Sequence, residues 1–213
     1  MTIRLKLLDL QTLIEEAATF TSPDASLPIS GVLFERSGDH LIAVSTDRFR
    51  LCVSRIEAEF EGGREHAPFV LASPELQSLR AAVKVARSAL RTLHARKSAV
   101  VELSAVGIGL VVELPASSFT AATAIADDWP DWRALFQRYT YGNVRTHAKT
   151  NASYLADFRK PARDKANAML IEFADAKDGP MRITIGDHFV GLLMPNNEAS
   201  GFPLTIHDDL RLQ

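Results

Sequence analysis

With 213 residues, 46% of them hydrophobic and 23% charged, the chain has the size and composition of a globular protein of one large domain or two small ones. No apolar run approaches the roughly 20 residues of a membrane span, and the single cysteine, Cys52, excludes a disulfide framework and a thiolate metal cluster. A formal net charge of −2, from 24 basic and 26 acidic residues, excludes a uniformly basic nucleic-acid binder, so any polyanion contact must rest on local charge segregation.

Three times along the chain a short strand leads through a capping residue into an amphipathic helix, followed by strand-like segments. The first unit runs from Ile3 through Asp9 into LQTLIEEAATF, with Leu10, Leu13, Ile14 and Ala17 at helical spacing. The strands ISGVLFERSG, HLIAVST and FRLCVSRIE follow, and Cys52 falls in the last as a small strand or core residue. The second unit is PFVLASPELQSLRAAVKVARSAL, where Ser73 is placed to cap and Pro74 suits the first helical position. AVVELS and GIGLVVELP follow it. In the third, RTHAKTNASYLADFRKP, Asn151 or Ser153 caps and Pro161 ends the helix, before AMLIEFA, MRITIGD and FVGLLMP. Ser37–Gly38, Gly62–Gly63 and Asp178–Gly179–Pro180 mark turns. Helices alternating with antiparallel meanders predict an α+β fold. The expected organisation is a complete domain over 1–128, a junction over 129–142, a half domain over 143–197 and an irregular tail over 198–213.

Four motifs, in order, carry a resemblance. LPISGVLFE followed by STDRFRL, then FVLASPEL, WPDWR and LLMPN are similar to signatures of the bacterial DNA polymerase III β subunit, the sliding clamp. The resemblance covers the clamp's middle domain and the second half of its last domain. It implies a DNA-clamp-like fold and a non-enzymatic processivity or scaffold role in DNA replication. The implied partners are duplex DNA held without sequence preference, and polymerases or other proteins carrying clamp-binding peptides. A half domain leaves sheet edges unpaired, so a homo-oligomer is expected. The alternative is a clamp-derived regulatory module, of phage or host origin, that binds such peptides or a host clamp without encircling DNA. The expected compartment is the cytoplasm of a bacterial or phage-infected cell. The chain departs from the family pattern at Arg48 and Phe49, where clamps carry small or polar residues, and at Trp129, Trp132 and Ala134.

Between Leu76 and Val101 there are six Lys or Arg and no Asp or Glu. Arg80, Lys84, Arg87 and Arg91 fall within about 60° of one another on a helix, beside an apolar stripe. Such a stripe reads as a solvated face or as a phosphate contact. Solvated faces usually mix signs, because opposite pairs at i,i+4 stabilise them, so one-signed charge favours phosphate. The resemblance places this face toward DNA. Lys149, Arg159 and Lys160, with Arg163 and Lys165, add charge from the third helix, diluted by Asp157 and Asp164. Glu15 and Glu16 make the first helix acidic.

The resemblance also implies a peptide-binding groove. Its wall would comprise Ile29, Thr46, Arg50 and Leu51, then Pro130, Trp132 and Leu135, then Leu192, Met194 and Pro195; composition alone reads these as ordinary core and junction residues. Leu210 and Leu212 in the tail resemble the alternating leucines of clamp-binding motifs. The six histidines have no metal-ligand spacing, and neither catalytic residues nor cofactors are expected.

Overall fold

The computed structural model describes residues 2–61, 67–106, 108–142, 148–164, 167–176 and 178–196. Its strands pair antiparallel throughout, in two sheets, so the chain is α+β. One sheet has the spatial order β5 (Glu59–Glu61), β1 (Thr2–Lys6), β7 (Val100–Val106), β8 (Gly109–Leu114) and β9 (Ser117–Ala122). The other begins with β10 (Ala124–Ile125), β6 (Phe69–Ala72), β2 (Gly31–Ser37), β3 (His40–Thr46) and β4 (Arg50–Glu57). It continues into β13 (Phe189–Leu193), β12 (Met181–Ile185) and β11 (Met169–Phe173). The seam is β4 against β13, in register from Ser54↔Phe189 to Arg50↔Leu193.

Two helices lie over the first core, α1 (Leu7–Ala18) and α2 (Ser73–Ala89). Three short ones follow: α3 (Leu93–Ser98), α4 (Trp132–Gln137) and α5 (Ala152–Asp157). Helix α1 starts two residues before Asp9, which therefore sits in the first turn, where its charge suits the positive helix end, instead of capping. The Leu7 N–H, one of the unsatisfied donors of that end, bonds to the Ala99 carbonyl at 2.9 Å. Ser73 is the first residue of α2, so Ala72 takes the cap position. Asn151 caps α5 as expected, accepting from the Ser153 N–H at 2.9 Å.

The period-two pattern sorts β2 and β3 between two cores. Val32, Phe34, Leu41 and Ala43 face α1, α2 and the first sheet, whereas Leu33, Ile42 and Val44 face the opposite way. That second face is covered by Trp129, Trp132, Phe136 and Tyr141. A third cluster joins Phe158, Met181, Ile183, Ile185, Phe189 and Leu193 to Phe20 and Cys52. Cys52 is fully buried, and burial pushes its thiol pKa well above the ordinary range, so it packs as a small apolar group. Among the described residues no helix is long and apolar enough to cross a membrane. Lys165, Gly62, Gly63 and the tail from 198 onward lie outside the described residues.

Candidate functional site

Burial of Leu76, Leu79, Val83 and Ala86 turns the other face of α2 outward. Arg80, Lys84 and Arg87 line a groove of about 450 Å³ whose opposite wall is Gln11 and Glu15 of α1. Arg87 donates to Gln11 at 3.1 Å and Arg80 to Gln77 at 2.9 Å. Arg91 is not part of this stripe. Helix α2 ends at Ala89, and Leu90 turns to extended backbone (ψ 110°) and packs against the first core. Thr92 then caps α3, its side chain accepting from the Ala95 N–H at 3.1 Å. The fourth cation of the groove is Arg96, tied across the helix break by a 2.8 Å bond from its Nε to the Leu90 carbonyl. A capping threonine between two basic stretches was the sequence signal for it.

A second groove, of about 470 Å³, adjoins the first and shares Glu15 and Arg80 with it. Lys160 and Arg163 reach it from the segment after α5. Glu16 is 3% exposed and accepts from Arg163 at 2.8 and 3.0 Å and from the Ser54 hydroxyl. The first helix is therefore less acidic at its surface than its composition implies, because Arg163 neutralises Glu16. Lys160 pairs with Asp157 at 3.2 Å. Lys149 and Arg159 line neither groove: Lys149 is half-buried and its carbonyl accepts from the Asn196 N–H at 2.9 Å, while Arg159 is exposed in the turn after α5.

On the other side of the β4–β13 seam, four separated segments converge on an apolar pocket of about 170 Å³. Six residues singled out from sequence line it: Thr46, Arg50, Leu51, Leu135, Leu192 and Met194. Ile29, Pro130, Trp132 and Pro195 do not. Ile29 is buried just before β2, Pro130 is exposed before α4, and Trp132 packs against the cluster that contains Leu51 and Leu192. Phe49, Tyr139 and Pro180 line the pocket instead; Pro180, just before β12, comes from a segment that only the fold brings there.

The β3–β4 turn is held by its own side chains. The Asp47 carboxylate accepts from the N–H groups of Phe49 (3.0 Å) and Arg50 (2.8 Å), and Arg48 sits between them at φ 76°. A bond of 2.8 Å from the Met194 N–H to the Phe49 carbonyl closes the pocket's edge. Arg50 is 8% exposed, ion-paired with Asp47 and Asp157, and stacked over Tyr154 at 4.4 Å and Phe20 at 5.3 Å. Its guanidinium fastens α5 to the turn and leaves mainly its stem to the pocket. Burial opposes ionisation of Asp157, but hydrogen bonds from Arg50 and Lys160 outweigh it and hold the carboxyl below its ordinary range. Among the described residues no three His, Cys, Asp or Glu side chains are grouped to hold a metal ion.

No protein-family model matches the chain, and no curated protein sequence does. Solved structures do. The DNA polymerase III β subunit of Thermotoga maritima superposes with a TM-score of 0.66 at 13% identity, over 91% of this chain and 64% of its own length. The sliding clamp of Bartonella birtlesii, solved with griselimycin bound, gives 0.69 at 14% identity over 92% and 66%. The β subunit of Pseudomonas aeruginosa gives 0.66 at 14% over 95% and 66%. At such identities the likeness establishes the fold. This chain has the fold of a sliding clamp over about two thirds of a clamp's length.

Proposed function

We propose that this clamp-folded chain serves as a processivity or scaffold protein in DNA replication, contacting duplex DNA with its helical face and partner peptides with its apolar pocket. The observation that carries the reading is the pair of adjoining grooves on the helical face, which gather Arg80, Lys84, Arg87, Arg96, Lys160 and Arg163 against Glu15 and the neutralised Glu16. Lysine and arginine contacts to phosphate position a duplex without reading its sequence, as sliding requires. No catalytic role is proposed.

The division into a complete domain and a half domain belongs to this reading, and so does oligomerisation. Strand β11 ends the eight-stranded sheet with Leu170 57% exposed, an edge that invites another strand. A second reading, a regulatory module that takes up peptides without encircling DNA, is favoured by Glu15, whose carboxylate faces both grooves.

Duplex binding measured against salt tests the proposal. The R80E/K84E/R87E variant is expected to bind more weakly and to flatten the log–log salt slope by up to about 2.7 units, at about 0.9 per phosphate contact. An unchanged slope would leave the grooves merely solvated. Light scattering with and without primed circular DNA separates the two readings: only the first requires an oligomer that stays on the circle.

A further inference from the structure

We infer that the apolar pocket selects a partner peptide whose apolar anchors are flanked by carboxylates, and that Arg48 and Arg138 form the cationic rim that does the selecting. The inference rests on the peptide-pocket reading above and adds to it the chemistry of the peptide. At about 170 Å³ the pocket is smaller than the roughly 300–1,000 Å³ of small-molecule sites, so it fits side chains projecting from a segment laid across the surface. The walls that such a segment would meet are apolar and partly solvent-facing. Phe49 is 54% exposed and stacked on Tyr154, while Leu135 and Met194 are 37% and 38% exposed.

The charge around this mouth is of one sign. Arg48, Arg50 and Arg138 line it, and no Asp or Glu does. Arg50 is already neutralised by Asp47 and Asp157. Arg48 and Arg138 are exposed, and among the described residues neither forms a salt bridge; Asp24 feels the charge of Arg48 only from a distance. Two unpaired guanidiniums beside an apolar hole are complementary to carboxylates beside apolar side chains. Arg48 is also displayed by a rigid support. Its left-handed backbone, costly for any residue but glycine, is held by the Asp47 bonds and by the Thr46 hydroxyl accepting from the Arg48 N–H at 3.2 Å.

The test uses the intact chain and two fluorescein-labelled hexapeptides, Asp-Asp-Leu-Gly-Leu-Phe and Asn-Asn-Leu-Gly-Leu-Phe, read by fluorescence polarisation at low salt. The acidic peptide is expected to bind about tenfold more tightly, the preference fading as salt rises, as it does for exposed charge pairs. R48G/R138Q should abolish the preference, bringing the two peptides to equal affinity. Glycine suits the positive φ at residue 48, so this variant is expected to fold at least as stably. Equal binding of both peptides would overturn the rim while the pocket reading stands. Binding of neither would remove the pocket and the rim together. The sequence Asp208–Asp209–Leu210–Arg211–Leu212, outside the described residues, has the same chemistry. If the acidic peptide bound only to a D208N/D209N variant, the occupant would be the chain's own segment and the commitment to a partner would fail.

Discussion

The core beneath α1 and α2 and the core beneath the last three strands are built on different terms. The first draws on both sheets and both long helices, with Leu7, Leu10, Leu13, Ile14, Leu71, Leu76 and Val83 all at or below 1% exposure. The second has a three-stranded meander and one six-residue helix, and two of its fully buried members, Phe20 and Cys52, come from the first region. Its other ties include the β4–β13 seam and two ion pairs that cross it, Arg50–Asp157 and Arg163–Glu16. A three-stranded unit with one short helix lies at the lower limit of independent stability, and here it completes its core with Phe20 and Cys52. The first core is closed by its own helices and sheets, whereas the second borrows buried side chains from the first.

The largest effect expected from this asymmetry is at Phe158, fully buried with its ring 4.9 Å from Phe20 and 6.0 Å from Phe189. Phe158→Ala should cost about 3–5 kcal/mol, read by urea denaturation. Hydrogen exchange should show the amides of β11–β13 losing protection while those of β2 and β3 keep theirs. Uniform loss across both regions would break the comparison.

Next comes the partly buried ion pair of Arg163 with Glu16. Arg163→Ala strands the Glu16 carboxylate and should cost about 3 kcal/mol, whereas E16Q/R163M, which removes both charges, should recover most of it. If the single and double variants are equally unstable, packing of the arginine stem matters more than its charge.

The seam itself is tested at Gly191. A Cβ there would stand 2.6 Å from the Phe158 ring and 2.7 Å from the Leu51 carbonyl oxygen. Gly191→Ala should therefore cost about 1–3 kcal/mol by forcing ring or strand to shift. A shift in urea midpoint smaller than that of a surface Ala substitution would show that the ring moves freely.

The smallest effect is with pH. The carboxyls of Asp157 and Glu172 are both held below their ordinary values of 3.8 and 4.5. Each contributes stability that is present above its ordinary pKa and lost as pH falls toward its folded value. The stability gap between the wild-type chain and Asp157→Asn should hence narrow as pH drops below about 4. A gap constant from pH 6 to 3 would mean that the Arg50–Asp157 pair contributes no pH-dependent stability.

Much of this molecule was legible in advance because its signals are local. Strands β2, β3, β4 and β13 are short apolar runs, β12 alternates with period two, α1 and α2 carry apolar stripes, and Asn151 stands where a cap was needed. Strand β9 was missed, since Ser117, Ser118, Thr120 and the alanines around Phe119 make no apolar pattern; it forms because β8 offers it a full ladder. The functional surfaces divide in the same way. One-signed charge on α2 after its first turn needed only helical spacing, so Arg80, Lys84 and Arg87 could be grouped from sequence. That Arg96 replaces Arg91 depends on Leu90 finding the core, and that Arg163 silences Glu16 depends on two residues 147 positions apart meeting. Period and charge order are properties of neighbours along the chain. Which cations share a groove, and which carboxylates remain free to oppose them, was decided only when the last three strands added to β4 and brought distant side chains within bonding distance.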